Sequence, residues 1–161
     1  MATKHYILRD ISVFYRLTQL HMNDRLKPYN LGCGHQYIML QIWRHPGASL
    51  VELAELSAFD NGTITRAVQK LEGEGYIRVE RCARDHRVKH VYLTERGEAL
   101  IGPIRSMIGE WMGLVTAGFS EEEKELLSEL MIRMGDNARA VLAGREDGRE
   151  DNSKDNPEVD G

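Results

Sequence analysis

The stretch from residue 49 to residue 97, SLVELAELSAFDNGTITRAVQKLEGEGYIRVERCARDHRVKHVYLTERG, limits the possible folds more than any other part of the chain. Ile64, Ala67, Val68 and Leu71 recur at i, i+3, i+4 and i+7, which gives one apolar face to a short helix. Asn61, Thr63, Thr65, Arg66, Gln69 and Lys70 are left on the opposite side. This outward set mixes hydrogen-bonding groups suited to base edges with cations suited to phosphates. Ahead of it, Leu50, Leu53, Ala54 and Leu56 predict another short helix with Ser49 as its N-cap, and Ser57-Ala58-Phe59 is the turn between the two. Asp60 is placed to cap the second helix, its carboxylate accepting from the free amides of the first turn, and Gly75 marks that helix's end. Residues 76–81 alternate apolar and polar, residues 88–93 do so more loosely, and a cationic loop joins them. The expectation is a helix-turn-helix followed by a β-hairpin wing.

The flanks read as helices. Residues 6–26 carry apolar side chains too widely spread for a single stripe, as expected of a helix with more than one neighbour. Pro28 ends it, and residues 29–32 read as a loop. A helix around Tyr37–Trp43 ends at His45-Pro46-Gly47, and the next helix is expected over residues 48–56. After the hairpin, Thr94 caps a long helix in which Pro103 predicts a kink. Ser120 and Glu123 form a capping box for a last helix carrying Leu126, Leu127, Leu130, Met131 and Met134, with fraying expected near Ala143.

Composition narrows the class. With 161 residues, 42% hydrophobic and 29% charged, the chain suits one soluble domain with a sizeable core. It has neither a signal-peptide start nor an apolar run of membrane-spanning length, so a cytoplasmic protein with no membrane partner is expected. Cys33 and Cys82 are then expected as free thiols. The net charge of −4 is misleading for nucleic-acid binding: residues 144–161 hold seven acids and three bases, which accounts for all of it. Between residues 61 and 90, seven Lys/Arg face four Asp/Glu. Fields are screened over roughly 8 Å in physiological salt, so the local excess is what a phosphate feels. There is no nucleophile–base pairing, phosphate loop or paired-carboxylate pattern, so neither an enzyme nor a cofactor is expected.

Leu53-Ala54, Thr63-x-Thr65-Arg66, Leu71-Glu72-x-x-Gly75, Asp85-x-Arg87 and Leu93-Thr94-x-x-Gly97 occur in this order. In this combination the chain resembles the MarR family of bacterial transcriptional regulators. The resemblance implies a mainly α-helical fold with a small β-hairpin wing, a winged helix-turn-helix flanked by N- and C-terminal dimerisation helices. Its implied divisions are a dimerisation helix over 1–33, a DNA-binding lobe over 34–97 and dimerisation helices over 98–143. The acidic tail over 144–161 is not a family hallmark and is expected to be disordered from its composition, with Val159 as its one apolar residue. The resemblance also implies a homodimer that binds double-stranded DNA at a pseudo-palindromic operator, acting as a repressor that answers to a small-molecule effector. Asn61-Gly62 departs from the acidic or bulky residue many members carry there.

The resemblance carries DNA contact onto Asn61, Thr63, Thr65, Arg66, Gln69 and Lys70 in the recognition helix, and onto Arg84, Arg87 and Lys89 in the wing. Arg66 is the strongest base reader, because a guanidinium pairs bidentately with guanine. Asp85 is implied to orient the wing. Trp43, Trp111, Tyr37 and Phe14 are candidates for the effector cavity, with core packing as the alternative. Some relatives sense zinc or peroxide. Here Cys33, His35 and His21 make a weak metal set, for which separate packing is the favoured account, and Cys33 alone is a candidate sensing thiol. The alternative outside the family is a winged-helix protein-interaction module with no DNA target.

Overall fold

A computed structural model describes the backbone of residues 6–82, 85 and 87–151. It divides into two compact units, Met1–Met112 and Gly113–Gly161. In the first, α1 (Ile7–Leu26) leads through a 3-10 turn (Lys27–Tyr29) into α2 (Cys33–Arg44), α3 (Leu50–Ser57) and α4 (Asn61–Gly73). An antiparallel hairpin of β1 (Ile77–Arg81) and β2 (Lys89–Leu93) follows, then α5 (Glu95–Val115), which crosses the unit boundary. The second unit is built on α6 (Glu121–Asp151).

Local chemistry explains most boundaries. Pro28 sits in the 3-10 turn directly after α1, where its missing N–H costs no helical bond. The expected loop thus begins with one tight turn, closed at Asn30 in the left-handed region (φ 57°). Ser49 Oγ accepts from the Glu52 amide while Glu52 Oε2 accepts from the Ser49 amide, a full capping box for α3. That helix starts at Leu50 rather than at residue 48 because the sheet claims the preceding backbone. The Val91 amide donates to the Ala48 carbonyl (3.0 Å), the Gly47 amide donates to the Val91 carbonyl (2.9 Å), and Ser49 bridges to His90. Residues 47–49 therefore act as a short third strand that fixes the wing to the helix-turn-helix.

The core of this unit draws on every one of its helices and both strands. Met22, Leu26, Ile38, Met39, Ile42, Leu53, Ile64, Leu71, Val91 and Ile104 are almost completely enclosed. The four apolar positions expected on the inner face of α4, Ile64, Ala67, Val68 and Leu71, are all buried. In the hairpin, Val79 faces Val91 and Ile77 faces Leu93 on the inner side.

Helix α5 continues through Pro103 without a break, as expected of a proline that bends a helix and does not end it. The carbonyl that loses its partner is that of Ala99, an exposed residue that water can serve. The second unit opens at the Ser120–Glu123 capping box, with Glu123 Oε2 accepting from the Ser120 amide (2.8 Å) and Ser120 Oγ accepting from the Glu123 amide (3.2 Å). The backbone of α6 stays helical to Asp151, past the fraying expected near Ala143 and into the stretch expected to be disordered from residue 144. No proline lies between Pro103 and Pro157, so nothing in the chain chemistry forbids that continuation. Residues 152–161 of the expected tail lie outside the described residues.

The exit from the wing is the tightest point of the fold. Thr94 Oγ1 donates to the Gly75 carbonyl (2.7 Å) and accepts from the Gly97 amide (3.2 Å), while the Thr94 amide donates to the Tyr76 carbonyl (3.0 Å). A Cβ added at Gly97 would collide with the Tyr76 carbonyl oxygen, which is backbone and has little freedom to yield. Gly97→Ala is expected to destabilise the protein by about 3 kcal/mol and lower Tm by roughly 10 °C in a thermal melt. Gly102→Ala, in the same helix but with open space around it, should be neutral or slightly stabilising.

Candidate nucleic-acid interface and adjoining cleft

The first turn of α4 is held by a three-residue relay. Asp60 Oδ1 accepts from the Thr63 amide (2.8 Å) and Asp60 Oδ2 from the Thr63 hydroxyl (2.6 Å), and Thr63 Oγ1 in turn accepts from Arg66 Nη2 (3.1 Å). The Thr63 hydroxyl and amide hold the Asp60 carboxyl below its ordinary value. Arg66 is therefore folded back along its own helix. A Cβ at Gly62 would sit 3.1 Å from Asp60 Oδ1, a tight contact with the capping carboxylate, and 3.4 Å from Arg66 Nη1, an ordinary one.

The other outward residues of α4 have different occupations. Asn61 and Gln69 are exposed. The Thr65 hydroxyl donates to the Asn61 carbonyl (2.8 Å), leaving its methyl group and remaining lone pair for any contact. Lys70 Nζ pairs with Glu74 Oε1 at 2.8 Å, and Glu74 Oε1 also accepts from Asn30 Nδ2. Lys70 is half-buried and paired within the end of its own helix, and Glu74 is the residue that ties α4 to the turn after α1.

In the wing, Asp85 Oδ1 accepts from the Arg87 amide (2.9 Å), its own carbonyl accepts from Val88, and the Cys82 amide donates to the Val88 carbonyl (2.9 Å). The carboxylate thus shapes the turn that presents Arg87, whose side chain is exposed, as is that of Lys89. Arg84 and His86 lie outside the described residues.

Beside α4 opens a cleft of about 380 Å³, lined by Gln19 and Asn23 of α1, Cys33 and His35 of α2, and Thr63 and Arg66 of α4. Phe59 is the aromatic residue in its wall. The four aromatics considered for an effector cavity are placed elsewhere. Trp111 stacks on His21 (centroids 4.3 Å apart) and donates to Thr18, Tyr37 meets Phe59 edge-on, Trp43 lies under Arg105, and Phe14 is exposed. The cleft depends on small and polar side chains from three helices, a combination without helical periodicity and hence without a sequence signature.

The weak metal set is dispersed by its local contacts. His35 Nδ1 accepts from the Gly32 amide at the start of α2, and its pKa is lowered by burial and by nearby Lys70. His21 is committed to Trp111. Cys33 Sγ accepts from Gln36 Nε2, but burial outweighs that bond and pushes the thiol up, away from the lowered pKa a sensing thiol needs.

These features agree with what the chain is similar to. Residues 37–89 match the model of the MarR family. The HTH-type transcriptional regulator YybA of Bacillus subtilis is 30% identical over 131 residues, covering 81% of this chain and 87% of that protein. The chain belongs to the MarR family. BilQ of Clostridium symbiosum, also an HTH-type transcriptional regulator, is 30% identical with 81% and 91% of the two chains covered. Among solved structures, a MarR transcriptional regulator from Methanosarcina mazei superimposes with a TM-score of 0.78 at 29% identity, over 85% of this chain and 99% of that one. A MarR-family regulator from Listeria monocytogenes, crystallised with a 26mer DNA, shares the fold with a TM-score of 0.82 at 24% identity, over 97% and 99%. The protein is thus a MarR-type transcriptional regulator with a winged helix-turn-helix, and among its described residues no helix is long and apolar enough to cross a membrane.

Because the folded pKa of Asp60 lies below its unfolded value, the cap stabilises fully above the unfolded value, near 3.9. That stabilisation is lost as pH falls through the lower, folded value. Thermal melts between pH 6 and 2.5 should show a smaller loss of Tm on acidification for Asp60→Asn than for the natural protein. Parallel curves would contradict the assignment.

Proposed function

We propose that this MarR-family regulator is a cytoplasmic homodimeric repressor that places α4 in the major groove and the wing arginine in the minor groove of a pseudo-palindromic operator. Arg66 carries the reading, because its guanidinium belongs at once to the exposed front of α4 and to the wall of the cleft. In the free protein it rests on Thr63. On DNA it swings outward to pair with guanine or a phosphate, while the Asp60–Thr63 cap holds the helix start in place. Asn61, Thr63, Thr65 and Gln69 provide the neighbouring contacts to bases and sugar-phosphate, and Arg87, presented by Asp85, with Lys89 provides those of the wing. Lys70, paired with Glu74 in this structure, stands at the flank of α4 for a phosphate contact.

The cleft is the candidate effector site. A ligand there gains contacts with Arg66 that it has only while the side chain is folded back, so it binds the DNA-free arrangement in preference, as release requires. The apolar surface of α1, including Leu8 at 79% and Leu20 at 69% exposure, together with Leu126, Leu127, Leu130 and Met131 of α6, is what a second copy would bury. Unpartnered apolar surface on this scale is uncommon on a soluble monomer.

Arg66→Ala should weaken operator binding by about 1–3 kcal/mol and relax base preference at one position of each half-site. Arg87→Ala should weaken binding to all sequences alike and reduce the slope of log affinity against log salt by about 1. Unchanged affinity in both variants would refute the interface. Light scattering behind gel filtration should give about twice the mass of the 18.4 kDa chain at micromolar concentration, and a monomer would refute the dimer.

A further inference from the structure

Helix α4 carries two cations, and the second is held by an acid for which the helix itself has no use. Lys70 lies one turn beyond Arg66 on the same face, at i+4. Its Nζ is 2.8 Å from Glu74 Oε1, and the same oxygen accepts from Asn30 Nδ2. Glu74 is the C-cap of α4, its amide donating to the Lys70 carbonyl (3.0 Å). A carboxylate there faces the negative end of the helix dipole. A lysine four residues ahead of a glutamate is also the weaker order for such a pair. Helix stability therefore gives no reason for an acid at this position.

Glu74 is held from three parts of the fold. Lys70 bonds it from α4, Asn30 bonds it from the turn after α1, and the Arg96 guanidinium of α5 acts on it through charge. The Lys70 hydrogen bond above all, with Asn30 and Arg96 adding to it, keeps the Glu74 carboxyl below its ordinary value. Arg96 is stacked over Tyr76, whose hydroxyl donates to Tyr29 of that same turn. The Glu74 side chain is only 25% exposed, so salt screens its attraction for the Lys70 ammonium less than it would on an open surface.

We propose that Glu74 is a positioning residue that withholds Lys70 from the DNA backbone, so that α4 meets a duplex with one phosphate contact fewer than its cations allow. The inference rests on the function proposed above. A lysine that exchanges a carboxylate for a phosphate releases no net counterion, because the freed carboxylate gathers a cation in its turn. Phosphate contacts carry no sequence information and supply nearly all of non-specific binding. Holding one back lowers affinity for every sequence alike and leaves the base contacts of Arg66 and its neighbours untouched. A regulator restrained in this way spends less time on the non-specific sites that compete with its operator.

The experiment titrates the full chain onto a random-sequence duplex across a series of salt concentrations, as the natural protein, as Glu74→Gln and as the double variant Glu74→Gln/Lys70→Met. Glutamine keeps an oxygen for Asn30 and loses only the charge, and coincident thermal melts check that the fold is intact. Glu74→Gln should bind about fivefold more tightly near physiological salt, and the slope of log affinity against log salt should steepen by about 0.9, for each protomer bound. Both gains should vanish in the double variant. An unchanged slope in folded Glu74→Gln overturns the inference, and a gain that survives in the double variant overturns the role given to Lys70. Without DNA, N-hydroxysuccinimidyl acetate should acylate Lys70 about two- to fivefold faster in Glu74→Gln, read by peptide mass spectrometry. Equal rates overturn the hold on the ammonium. If the acylation rates differ while no form of the protein binds the duplex, the proposed function fails, and the phosphate role of Lys70 with it.

Discussion

The fold turns on one close approach, where the start of α5 passes over the backbone at Tyr76 with only a glycine hydrogen between them. Gly97 permits the approach, and Thr94 fastens it by bonding at once to Gly75, Tyr76 and Gly97. Gly75 ends the recognition helix in the left-handed region (φ 76°), so the same few residues terminate α4, begin the wing and launch α5. The Tyr76 ring is enclosed, with its hydroxyl donating to the Tyr29 carbonyl and Arg96 stacked over its face at 4.6 Å. The angle at which α4 and the hairpin are offered to a nucleic acid is set here, far from the residues that would touch one.

A second tie completes the frame. Residues 47–49 pair with β2, so the hairpin is rooted both at its exit and along its outer edge. Asp85 shapes its turn and Asp60 shapes the start of α4, each a carboxylate spent on backbone amides. At both places the carboxylate charge is directed onto backbone amides of its own turn.

Periodicity and turn chemistry in the sequence were enough for the helices, the hairpin, the inner face of α4 and the caps at Ser49, Asp60, Thr94 and Ser120, because these depend on neighbours within four residues. The motif Leu93-Thr94-x-x-Gly97 was legible as a pattern, but its reason, a collision with the Tyr76 carbonyl, exists only once two segments about 20 residues apart meet. Tertiary contact also decided what could not be read along the chain: that Ala48 belongs to the sheet and not to α3, that Glu74, the ion-pair partner of Lys70, also accepts from Asn30 of the turn after α1, and that the cleft is walled by scattered residues of three helices and not by the conspicuous tryptophans. Cys33 has burial for the same reason. Each turns on which distant group arrives beside a side chain, and sequence spacing carries no information about that.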